Sequence, residues 1–146
     1  MPTSFVNTWK NILDKLENVF RTEFGGTLMI YTGEVNEKAG NQYLRFDPVG
    51  SDLLEYNISS ETREYSINMF LYFGDKSENR TKLDSVLRLV SRIESLVVDN
   101  IAMTLSDSSN AFNCRIESTQ LDADEGDTEN YVVLFEYRGV HLGNVS

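Results

Sequence analysis

From Glu64 to Phe73 the chain alternates without a break, with Tyr65, Ile67, Met69, Leu71 and Phe73 on one side and Glu64, Ser66, Asn68, Phe70 and Tyr72 on the other. Successive side chains of a strand point to opposite faces, so this segment makes a strand with one fully apolar face, and that face has to be covered. Two other segments are built to cover it. Phe5, Trp9, Ile12, Leu13, Leu16, Val19, Phe20 and Phe24 recur at three- and four-residue steps, opposite Lys10, Asp14, Lys15, Glu17 and Arg21. This spacing predicts a helix from about Ser4 to Phe24, capped by Thr3 or Ser4 and ended by Gly25-Gly26. Leu83, Val86, Leu87, Val90, Ile93, Leu96 and Val97 repeat the pattern up to Asn100. Thr81-Lys82-Leu83-Asp84 ahead of them has the spacing of a capping box, which predicts the start of a second helix.

The remaining apolar stretches read as strands. Thr27 to Gly33 is short and β-favouring, and Glu34 to Gln42 is a polar loop. Tyr43 to Ile58 is apolar in two parts around Asp47-Pro48; because proline cannot donate to a ladder, this is an edge strand or one interrupted by a bulge or excursion. Gly74 to Arg80 is a loop, and Ile101 to Asn110 a connection. Phe112, Cys114 and Ile116 alternate with Asn113, Arg115 and Glu117, and Tyr131, Val133, Phe135 and Tyr137 with Val132, Leu134, Glu136 and Arg138, which predicts an antiparallel hairpin. The expected class is α+β, a mainly antiparallel sheet with two amphipathic helices packed on it in the order α-β-β-β-α-β-β. At 146 residues and 40% hydrophobic, it forms a single domain over residues 1–146.

Chemistry is harder to find. His141 is the one histidine and Cys114 the one cysteine, so neither a multi-histidine metal site nor a disulfide can form within a copy. His141, among glycines, is expected to be solvated and structural; Cys114 is expected to be a small buried thiol. Asp122, Asp124, Glu125, Asp127 and Glu129 crowd an acidic hairpin tip. The EF-hand spacing fails there, because glycine is fifth and Val133 twelfth from the first aspartate, so a solvated tip is expected, with a weak ion site or an electrostatic surface as the lesser reading, and no metal or other cofactor is assigned. No glycine-rich phosphate loop follows Gly25-Gly26.

The chain carries 13 basic and 23 acidic residues, a formal charge of −10, which argues against binding nucleic acid by phosphate neutralisation. Residues 101–146 hold 2 of the basic and 8 of the acidic groups. No export signal or membrane span is legible, so the chain is expected to be made in a reducing cytoplasm. With no legible catalytic apparatus, a protein that works through its surfaces is the stronger reading, and a small cytosolic ligand-binding domain or enzyme the weaker.

The order of elements, with Arg63 to Phe73 leading through a polar loop into Thr81 to Asn100, and Arg115 to Ser118 passing through the acidic turn to Tyr131 to Val140, resembles the tail terminator, or tail completion, proteins of tailed bacteriophages. The resemblance spans nearly the whole chain, except that Glu34 to Gln42 and Pro48 to Thr62 do not align. It implies a non-enzymatic virion protein of the tail and neck, assembled in the host cytoplasm. Such a protein closes into a homo-oligomeric ring of six subunits on the tail-tube protein, stops tube growth and meets the head connector or stopper protein. DNA passes through its acidic channel without specific binding. A different neck component, a head-completion or stopper protein, is the nearest alternative. A ring needs one patch to meet a different patch on the neighbour. Strand edges near Tyr65 to Phe73 or Tyr131 to Tyr137, with Phe70, Tyr72, Tyr131 and Tyr137 as candidate contacts, are the expected interface, set against the alternative that the protein's own helices cover these aromatics.

Overall fold

Asn7 opens the first helix, its side-chain oxygen accepting from the Lys10 backbone N–H at 3.1 Å, so that α1 runs Thr8–Phe24. The structure is a computed structural model that describes residues 7–25, 27–32, 42–58, 60–73, 80–121 and 131–144. The helix therefore starts later than the expected Ser4: asparagine is as strong a cap as serine, and the nearer capper to the helix took the role. Thr3, Ser4 and Phe5 lie outside the described residues. Gly25 ends α1 at φ +57°, a left-handed conformation glycine adopts without strain, and its N–H bonds the Arg21 carbonyl at 2.8 Å.

The strands are β1 (Met29–Thr32), β2 (Gln42–Tyr56), β3 (Ser60–Phe73), β4 (Met103–Thr104), β5 (Asn110–Leu121) and β6 (Tyr131–Asn144), with α2 (Arg80–Asp99) between β3 and β4. They form one sheet in the order β1-β2-β3-β6-β5-β4. Every pairing is antiparallel except that of β1 with β2. The class is α+β, as the patterning requires, with the two-residue β4 added inside the expected connection. Thr81 is the second residue of α2 and not its cap, because the helix has already begun at Arg80.

Both helices lie on one face of the sheet. Ile12, Leu16, Phe20 and Phe24 of α1 and Val86, Val90, Ile93 and Val97 of α2 share one core with Leu44, Phe46, Tyr65, Ile67, Met69, Leu71, Val133, Phe135 and Tyr137. The Phe20 ring meets Phe46 edge-on at 5.4 Å. Leu83 and Leu87 fall at the margin of the α2 stripe and are exposed. At the end of α1, Arg92 of α2 stacks over Phe24 at 4.5 Å and bonds the Glu23 carboxylate at 3.1 Å, which ties the helices together.

Irregularities in two strands, two register shifts in each, reshape the expected pattern. In β5, Phe112 pairs Val140 but Arg115 pairs Arg138, so one extra residue is accommodated at Asn113, whose φ is +51°. The bulge turns Phe112 to the open face, 41% exposed, and leaves Ala111 and Cys114 buried. The simple alternation of Phe112, Cys114 and Ile116 is thereby corrected. In β2 both alternatives raised by Pro48 hold. β1 ends at Thr32, opposite Phe46, so beyond that point β2 is an edge among the described residues, and its register shifts between Pro48 and Gly50 and again between Leu53 and Glu55.

Candidate functional site

The sheet face turned away from the helices carries two of the candidate aromatics, Phe70 and Tyr72. Tyr72 stacks on Tyr43 with ring centroids 4.6 Å apart, and Tyr31 meets Tyr43 edge-on at 5.9 Å. The Arg45 guanidinium lies 4.9 Å from the centre of Phe70 and 5.6 Å from that of Tyr72, and is held by Asp47 at 3.0 Å. Phe70 and Tyr72 are thus half-covered by side chains of the neighbouring strands. The helices, expected as the alternative cover, lie on the other face.

Two parts of the expected interface are corrected. β3 and β6 are the central strands of the sheet, each bonded on both flanks, so neither Tyr65 to Phe73 nor Tyr131 to Tyr137 offers a free edge. Tyr137 is 2% exposed and belongs to the core, because it shares the inward phase of Phe135. Its hydroxyl is buried next to the Cys114 thiol and over Gly139, with no other hydrogen-bond partner among the described residues. Burial pushes both the Tyr137 hydroxyl and the Cys114 thiol up in pKa. Tyr131 pairs with Phe73 through its backbone, and its side chain lies outside the described residues, as does the acidic tip Asp122 to Glu129.

The far half of the β2–β3 hairpin is the surface that sequence patterning missed. Val49, Leu53, Leu54 and Tyr56 are each about half exposed or more, and Ile58 at the turn is 96% exposed. The turn itself is firm: Asn57 N–H bonds the Ser60 carbonyl at 2.9 Å, while the Asn57 side-chain oxygen accepts from Ser60 N–H at 2.9 Å. The signal lay in Leu53-Leu54, adjacent apolar residues that no alternating strand can bury together. An exposed apolar hairpin tip is a feature of association surfaces, since isolated domains seldom expose such clusters.

His141 is 6% exposed, which corrects the solvated reading; it shares the inward phase of Tyr137 and Gly139. Its Nε2 lies 2.9 Å from Ser109 Oγ, and Ser109 Oγ lies 2.5 Å from Asp107 Oδ1. The Ser109 hydrogen bond holds the Asp107 carboxyl below its usual range, so this side chain is an acceptor and takes the single hydroxyl proton. His141 then donates Nε2–H to Ser109, the reverse of what a general base must do. The trio pins the loop after β4 to β6. On the open face, Glu64 bridges two arginines that sit directly opposite each other, Arg115 at 2.7 Å and Arg138 at 3.4 Å, and Glu117 adds a second carboxylate on Arg115 at 2.7 Å. The Arg115 hydrogen bond holds the Glu64 carboxyl below its ordinary range against the opposing effect of burial.

Among the described residues no group of three or more His, Cys, Asp or Glu is placed to hold a metal ion, and no helix is long and apolar enough to cross a membrane. No family model matches the chain, and no curated protein matches it. Among solved structures, 13 chains match. One of these is 14% identical and aligns over 93% of this chain and 93% of its own, with a TM-score of 0.56; the name it carries states no activity. This likeness shows the fold alone.

Proposed function

We propose that this chain is a tail terminator subunit, which closes into a ring, of six copies by the family resemblance, on the end of a phage tail tube and joins tail to head. The observation that carries the reading is the apolar arm around Leu53, Leu54, Tyr56 and Ile58, a surface made for another protein. The one-sided helix layer adds to it, since among the described residues no helix covers the opposite sheet face, which can meet a neighbour or the tube. With a formal charge of −10 per subunit, a lumen formed by such rings repels DNA in passage instead of holding it. Virion residence, the tube and connector contacts, and the absence of enzymatic turnover belong to the same proposal. Electron microscopy of particles lacking the protein tests it. Overlong or unjoined tails are expected; filled heads that leak DNA would assign it to a stopper, and normal particles would overturn the reading.

A further inference from the structure

We infer that the β2–β3 arm of one copy docks into an apolar groove at the opposite end of a second copy, an inference that rests on the ring reading and names its contact. The groove, about 380 Å³, is formed where the end of α1, the first half of α2 and the end of the sheet meet; Phe73 and Leu89 wall it over the buried Phe24 and Leu28, and Arg88 supplies its charge, Arg92 being bound to the Glu23 carboxylate. In a chain with 23 acidic residues, no carboxylate lines it among the described residues. The arm is complementary. It presents Leu53 and Tyr56 on its helix-side face, Leu54 at the register shift and Ile58 at the turn, and on its open face Asp52 and Glu55, which among the described residues have no ion-pair partner, as Arg88 has none in the groove.

An arm cannot fill the groove of its own subunit. Tyr56 and Glu61 pair at one end of the hairpin and Gln42 and Phe73 at the other, roughly 40 Å away along β3 at about 3.3 Å per residue. The contact must therefore join two copies through different patches, which is the heterologous geometry that closes into rings. Backbone pairing along the open edge of β2 is the competing mode, and the edge is unsuited to it: Pro48 lacks an N–H, and the register breaks near Val49 and Leu54.

Sedimentation velocity on the purified chain tests the contact. Ile58→Asp and Leu89→Asp should each weaken self-association at least ten-fold, with an unchanged circular-dichroism spectrum for the fully exposed Ile58. Mixed one to one, the two variants should form a heterodimer and nothing larger, because only one competent arm and one competent groove remain. Glu55→Arg and Arg88→Glu should each weaken association, and combined in one chain should restore it. Wild-type self-association that survives Ile58→Asp and Arg88→Glu overturns the docking and leaves the ring reading standing. If those variants instead lose only tube binding, the arm's occupant is the tube protein, and the inference fails. Open chains or dimers of wild type that are abolished by the same variants would uphold the docking and refute the ring. A wild type that is monomeric both alone and on added tubes refutes both.

Discussion

Gly139 lies on the inward face of β6, where an added Cβ would sit 3.3 Å from Cys114 Sγ and 3.6 Å from the nearest Tyr137 ring carbon. Its φ is not positive, so the backbone itself accepts alanine, and the loss of freedom in the unfolded chain would stabilise the protein by about 0.4–1 kcal/mol. The sulfur decides the sign. Cys114 is 2% exposed, and its N–H is bound to the Ile101 carbonyl at 2.9 Å, so it has little room to withdraw, and overpacking of this kind costs about 1–3 kcal/mol. Gly139→Ala should therefore destabilise by about 1 kcal/mol net. Cys114→Ala removes roughly one methylene's worth of buried volume and should cost about 1 kcal/mol alone. In that background the clash is gone, and Gly139→Ala should become stabilising by the unfolded-chain gain of about 0.4–1 kcal/mol. The coupling in the double-mutant cycle is then about 1–3 kcal/mol, measurable by urea denaturation with a constant m value. Equal effects of Gly139→Ala in both backgrounds would refute the argument that Cys114 is the obstacle.

Two further outcomes follow from the core and from its one buried histidine. Phe20, 1% exposed and edge-on to Phe46, should cost about 3–5 kcal/mol when truncated to alanine, read as a lower urea midpoint. Burial holds the His141 imidazole below its ordinary 6.5, with Asp107 and Glu61 pulling the other way. The unfolded chain thus takes up this proton first, and stability should fall as pH drops from 6.5 toward the lower folded value, by no more than about 1.4 kcal/mol per pH unit. His141→Gln should flatten that limb; an unchanged slope would show that another group supplies it.

What could be read in the chain was whatever a single backbone period dictates. The alternation from Tyr65 to Leu71 and the stripes of both helices had to appear, since side-chain direction in a strand or helix follows from geometry alone. The pairing order was not legible, because nothing local says that β1 lies parallel to β2 or that β3 and β6 occupy the centre. The extra residue at Asn113 was equally silent, and it moved Phe112 from the expected core to the surface. His141 is the opposite case: counting by twos from Tyr137 through Gly139 would have placed it inside, but its glycine neighbours drew the reading toward solvent. Tyr137 follows the same count, inward in phase with Phe135. Of the proposed surface, Phe70 and Tyr72 were visible as aromatics out of place, whereas the arm was hidden because Pro48 and two register shifts broke the pattern that would have flagged it.

β3 is bonded along nearly its whole length to β2 on one side and β6 on the other. Its solvent-washed tip and its oily interior are therefore parts of a single plank, not an antenna on a hinge. A force delivered at Ile58 would travel as shear through hydrogen bonds into the layer beneath the helices, so seating the tip against a neighbour also braces the body that carries it.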